Sequence, residues 1–215
     1  MEQRMENSQE APRSSGSREH FLRTAGLTGT ATFLGLLALA NNPLHAGSAH
    51  AQSELAALSD VDILNFALSL EYLEAEFYRE AMASNKLTGL SQSLVSEIYG
   101  DEVSHAVVIS TAIALVGGMP VAKQSHYNFG DMSTRDAILK TAEVLEMTGV
   151  GAYTGAAPLI KSKVVLAAAA SVEQIEARHY AAIRFVRDEL PAPSAFGPSL
   201  SVAQVKAATK PIFGM

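Results

Sequence analysis

The chain has 215 residues and a mass of 22.7 kDa, enough for one domain and an extension. Hydrophobic residues make up 48% and charged residues 18%, with a mean hydropathy of +0.13, which excludes a wholly disordered chain. Sixteen Lys and Arg against 22 Asp and Glu leave a net charge of -6, which argues against nucleic acid as a partner because phosphate neutralisation needs a basic face. The lack of cysteine excludes disulfides, thiolate metal sites and thiol nucleophiles, so a metal has only Glu, Asp and His to sit on.

Residues 1–51 read as an export signal peptide. A polar stretch to Arg23 precedes the uncharged apolar run Thr24 to Ala40, and Ala49-His50-Ala51 fits a small-x-small cleavage site. The run is at the lower limit for spanning a bilayer, so no stable membrane insertion is expected after cleavage, and a periplasmic or extracellular location follows. Ser17-Arg18-Glu19-His20-Phe21-Leu22-Arg23 resembles a twin-arginine signal with Glu19 in place of the second Arg, which leaves the choice between that route and general secretion open.

From Ser59 onward apolar residues recur at three and four residue spacing, the helical signal, so the fold class is all-α. The pattern predicts helix 1 from Asp60 to Ala83 with Ser59 or Asp60 as cap, and helix 2 from Ser91 to Val116, ended by Gly117-Gly118-Met119-Pro120. Helix 3 is expected from a cap at Ser133 or Thr134 to Ala157, before Pro158, and helix 4 from Ser162 to Glu189, stopped by Pro191-Ala192-Pro193. Short links make helices 1 and 2, and helices 3 and 4, antiparallel hairpins. The stretch from Gly117 to Met132 can reach about 50 Å, more than a bundle's length, so it can cross from end to end. Residues 52–190 therefore read as a four-helix bundle with a long crossover between helices 2 and 3. Residues 191–215 read as a Pro, Ser and Ala-rich tail packed on the bundle, with one short helix at Ser201 to Thr209.

Each helix interrupts its apolar stripe with acid. The stripes are Leu64, Leu68, Glu71, Ala75, Tyr78; then Ile98, Glu102, His105, Ile109; then Leu139, Glu143, Glu146, Val150, Tyr153; and Val172, Glu176, His179, Ile183. Glu102 follows Glu71 by 31 residues and Glu176 follows Glu146 by 30, while Tyr78 and Tyr153 each follow their glutamate by seven. The chain reads as two copies of one hairpin about a pseudo-twofold axis, with the acids level in depth. Four carboxylates and two imidazoles inside a bundle need compensation. Two divalent cations match four glutamates in charge, and the O/N donor set suits iron or manganese, with zinc also compatible.

Glu on helix 1, Glu-x-x-His on helix 2, Glu on helix 3 and Glu-x-x-His on helix 4 resemble the di-iron carboxylate pattern of the ferritin-like superfamily. NFALSLEYLEAEFY and VLEMTGVGAYTGAAPLI are similar to the exported ferritin-like domain proteins of bacteria, related to plant desiccation-related proteins. The resemblance implies Glu102 and Glu176 as bridging carboxylates, Glu71 and Glu146 as terminal ligands, and one metal on each of His105 and His179. It places Tyr78 and Tyr153 beside the cluster, where phenols can hydrogen-bond a ligand or pass an electron. The expected activity is a ferroxidase- or peroxidase-like reaction of a di-iron or di-manganese centre with O2 or peroxide. The alternative is a non-enzymatic secreted stress or envelope bundle with a structural or vestigial metal, and both leave room for a homodimer.

Glu143 shares a face with Glu146, but register with Tyr153 favours Glu146; Glu74 is the corresponding alternative to Glu71. Glu76 is expected to face water, and Glu97 and Glu173 lie off their stripes. Asp101 reads as an exposed helix residue or a support for His105 or a neighbour, and His126 as a packed loop residue.

Overall fold

The computed structural model describes residues 58–214, and the leader read at 1–51 lies outside them. Among the described residues there are five α-helices and no strand: α1 (Asp60–Ala83), α2 (Gly89–Leu115), α3 (Arg135–Ala156), α4 (Lys163–Val186) and α5 (Val202–Phe213), with a single 3-10 turn at Ala157–Leu159.

Local chemistry sets the boundaries. Ser59 caps α1 in a capping box with Asp62, and Thr134 and Ser162 accept the free N–H groups at the starts of α3 and α4. Asn85 takes a positive φ of 57° after α1, a conformation Asn tolerates. At the end of α2, Gly117 N–H donates to Ala114 and Gly118 N–H to Ile113, while Gly117 adopts φ 82°, which is the Schellman arrangement. α2 starts two residues before its expected Ser91. α4 stops three residues short of the expected Glu189, because Asp188 turns left-handed (φ 60°) and the Asp188 and Glu189 N–H groups fold back onto Phe185 and Arg184.

Helices α1 and α2 pack as one hairpin and α3 and α4 as the other, with α1 against α3 and α2 against α4 between hairpins. The crossover runs along α1. The Asn65 side chain holds Met119 and Val121 of the crossover, Lys123 reaches Glu76 at 2.5 Å, and Phe129 packs edge-on against Phe77. Asp60 accepts from the N–H groups of Lys161 and Ser162, both at 2.8 Å, tying the start of α1 to the start of α4.

The core is two apolar clusters with a polar layer between them. One gathers Leu73, Phe77, Ile98, Leu139, Leu145 and Ile183, the other Leu64, Leu68, Ile109, Ile113, Val165 and Val172. On every helix of the bundle the acidic positions fall between the residues of one cluster and those of the other.

The tail packs on α3 where glycine lets its backbone come close. Leu200 N–H donates to the Gly151 carbonyl at 2.9 Å, and a methyl group at position 155 would sit 1.9 Å from the Leu200 carbonyl oxygen. α5 then forms from a Ser201/Gln204 capping box and reaches Phe213, beyond the expected Thr209. Gly155→Ala should therefore displace the tail, lowering stability by about 1–3 kcal/mol and speeding protease cleavage after Pro191; an unchanged melting temperature and cleavage rate would refute this docking.

Candidate metal centre

Glu71, Glu102, Glu146 and Glu176 are each 0% exposed, and His105 and His179 are 9% and 5% exposed. The i, i+3 spacing stacks Glu102 with His105 and Glu176 with His179 on the inner faces of α2 and α4, and the imidazole centroids lie 6.1 Å apart. All six side chains singled out from the sequence meet in the layer between the two apolar clusters.

They form two overlapping donor groups. Glu71, Glu102, His105 and Glu176 offer one atom each within 4.8 Å of one another, and so do Glu102, Glu146, Glu176 and His179. His105 Nδ1 lies 3.3, 3.3 and 3.2 Å from oxygens of Glu71, Glu102 and Glu176. His179 Nδ1 lies 3.0 and 3.3 Å from oxygens of Glu102 and Glu146. Despite this proximity, Glu71 Oε2, Glu102 Oε1, Glu146 Oε2, both oxygens of Glu176 and His179 Nδ1 make no hydrogen bond. Donor atoms that crowd together without bonding are aimed at a shared point, as ligands around a cation are, and a carboxylate-imidazole set of this kind suits a divalent ion.

The remaining donors are secured from outside. Tyr78 on α1 donates its hydroxyl to Glu146 on α3, and Tyr153 on α3 donates to Glu71 on α1. His179 Nε2 lies 3.1 Å from Asp101 Oδ2, so Asp101 supports His179 and not its own-helix neighbour His105. Such a partner on the far ring nitrogen fixes the imidazole's orientation.

Charges left inside this layer strain the metal-free chain. Burial first, then the Glu176 carboxylate, pushes Glu102 up to about 8; burial and Glu146 raise Glu176 well above the carboxylate range. Burial also raises Glu146, against the pull of His179. Burial disfavours charged imidazoles, but their carboxylate neighbours outweigh it and push His105 up to about 12 and His179 up to about 11. Burial and the adjacent acids push both phenols well above their ordinary range, which keeps their protons in place.

Other acids fall elsewhere. Glu143 is held by Arg184 and Arg187, so it is outside both donor groups. Glu76, expected to face water, is mostly covered and sits between Arg79 and Lys123, each at 2.5 Å. Glu97 is exposed and Glu173 half-buried. His126 is exposed, contrary to the packed position expected of it, because its neighbours Tyr127 and Phe129 take the inward places.

Glu74 is buried at 3% exposure, and burial followed by the Glu176 charge strongly favours its protonated form. Opposite it, a methyl group at Gly149 would stand 2.8 Å from Glu176 Oε2 and 3.5 Å from Glu74 Oε1. Gly149 occupies in α3 the place that Glu74 holds in α1, three residues after the helix's inner glutamate. Sequence reasoning passed over Gly149; that spacing was the signal for it.

Two hairpins, an end-to-end crossover and an inward layer of Glu and His define the ferritin-like class of bundle. The family model of the ferritin-like domain matches residues 59–189, and the chain belongs to that family. Among solved structures, the bacterioferritin-related protein of Bacteroides fragilis, described as a dodecameric thioferritin, aligns with a TM-score of 0.53 and 21% identity over 60% of this chain and 84% of its own. A conserved hypothetical protein of Mycobacterium tuberculosis aligns with a TM-score of 0.55 and 16% identity over 64% and 96%. At these identities the likeness establishes the fold. No curated protein sequence matches the chain.

The direction of the pKa displacements sets the pH response. The folded metal-free chain keeps protons on Glu102 from its ordinary 4.5 up to about 8, and on the histidines from 6.5 upward, so its stability falls as pH rises through that window. Glu76, lowered to about 2, acts only below it. Ion binding selects deprotonated donors and reverses the trend. Chelated protein should therefore melt higher at about pH 5.5 than at about pH 8, and metal-loaded protein the reverse; parallel trends would refute the layer's role.

Proposed function

We propose that this chain is an exported di-metal carboxylate protein whose centre of two divalent ions, iron or manganese, reacts with O2 or peroxide, with Fe2+ oxidation among its reactions. The observation that carries the reading is that the two donor groups share Glu102 and Glu176 and differ in the rest. Glu71 and His105 would hold one ion, Glu146 and His179 the other, with Glu102 and Glu176 bridging. Four glutamates then balance two M2+ ions, and Glu74 stays protonated beside them.

Bound ions would supply paired valence changes toward a dioxygen species. The chain's own residues prepare the place for this. Tyr78 and Tyr153 each direct a hydroxyl proton at one oxygen of a terminal glutamate, leaving the other oxygen to face the centre. Asp101 holds the ring of His179. Leu68, Ile98, Leu139 and Ile183, all 0% exposed, keep bulk water from above and below. The phenols touch the ligands directly, which makes them the residues through which an electron or a proton would pass. Export rests on the order of the leader, and a homodimer is supported by the apolar outer face of α2, where Val103, Val107 and Leu115 are exposed.

Elemental analysis of protein from the exported fraction, purified without added metal, tests the reading. About two Fe or Mn per chain are expected, with both lost in Glu102→Ala/Glu176→Ala and both retained in Glu143→Ala. Metal-free wild type, with no rise in melting temperature on adding Fe2+ or Mn2+, would overturn it. Metal bound without turnover of O2 or peroxide would leave a structural ion and remove the enzyme.

A further inference from the structure

Beside the polar layer the fold contains a concavity of about 500 Å3, between the first half of α1, the end of α3 and the tail. Leu64, Ala67 and Leu70 line one wall, Tyr153 and Ala156 another, and Leu200 a third. Of its polar lining, Asp62 is in the cap of α1, Ser201 and Gln204 are in the cap of α5, the Tyr153 hydroxyl is at Glu71, and Ser199 is exposed. Lys206 stands exposed at the rim.

The space has structural causes. Ala152 and Ala156 at the end of α3 carry only methyl groups toward the space and leave that side unfilled. The tail does not collapse into it, because the Leu200 backbone is fixed on Gly151 and Gly155. The α1 to α4 tie through Asp60 holds the other end. The two pseudo-equivalent tyrosines consequently differ. Tyr78 is 0% exposed and packed within the Phe77 and Phe129 cluster, whereas the Tyr153 ring borders the cavity while its hydroxyl reaches the acidic layer.

We propose that this cavity is a binding site for an uncharged, apolar small organic molecule seated against the Tyr153 ring. Its volume lies in the ~300–1,000 Å3 range of small-molecule sites, and a pocket walled by two helices and a tail suits a compact ligand better than a protein surface. No buried polar side chain of the lining is free to recognise charge, so apolar contact and aromatic stacking on Tyr153 supply the affinity. The site places its occupant one side chain away from Glu71. The inference stands apart from the metal reading, and ligand binding is expected to be unchanged after chelation.

The test is titration of the full chain with the neutral probe N-phenyl-1-naphthylamine, whose emission no tryptophan of this chain obscures. Blue-shifted emission saturating near one probe per chain is expected, with affinity falling at least about tenfold in Ala67→Phe and in Ala156→Phe, each of which fills the space from a different helix. Circular dichroism selects the folded variants, and either one suffices to decide. Val107→Ser, on the outer face of α2, should bind the probe as wild type does. Absence of saturable binding would overturn the proposal, as would binding that a folded filling variant leaves intact or that Val107→Ser abolishes.

Discussion

The structure depends on one conflict: four glutamates, all 0% exposed, and two nearly buried histidines are enclosed between two apolar clusters. Each unpaired buried ion costs several kcal/mol even after relaxation, and removing one member only leaves its neighbours worse off. The chain answers in three ways. Phenols donate to the outer oxygens of Glu71 and Glu146, imidazoles approach the inner oxygens of the cluster, and protons are retained where the ordinary solution values would release them. Neither oxygen of Glu176 has a hydrogen-bond partner. The apolar clusters above and below hold this arrangement in place, so the burial that stabilises the fold also confines the charges of the layer.

Much of this was legible from the sequence because helical periodicity is a strong constraint. Once Leu68 and Leu64 point inward, Glu71 has to point inward with them, and the same reasoning fixes Glu102, His105, Glu146, Glu176 and His179. The crossover was legible from its length alone. Charge partners across helices were not. Glu143 shares the face of Glu146, and only the meeting of α3 with Arg184 and Arg187 on α4 decides that it is neutralised at the edge. Asp101 was in view, but its pairing with His179 depends on how α2 packs against α4. Glu76 was misplaced because helix 1 alone gives no sign of the crossover, whose Lys123 covers it. His126 shows the opposite failure: in a loop, adjacency to Tyr127 and Phe129 says nothing about direction.

The pseudo-twofold symmetry is carried by the six Glu and His positions and the two tyrosines, and it is broken around them. Glu74 faces Gly149, its counterpart in the other hairpin. Asp101 supports His179, while the position matching it before Glu176 is Ile175. Tyr78 is sealed in the core and Tyr153 borders a cavity. All these differences surround an otherwise repeated constellation, so the two sides of the layer are chemically unequal although their principal donors are the same.

Each hairpin contributes one glutamate from its first helix and one Glu-x-x-His pair from its second, and each donor group borrows a carboxylate from the opposite hairpin. Neither half owns a complete site. Each donor group therefore depends on both hairpins. In the other direction, two copies of a single hairpin meeting about a twofold axis would already contain every principal donor. The repeating unit of such a donor set is half of the bundle, and the long crossover joins the two halves within one molecule.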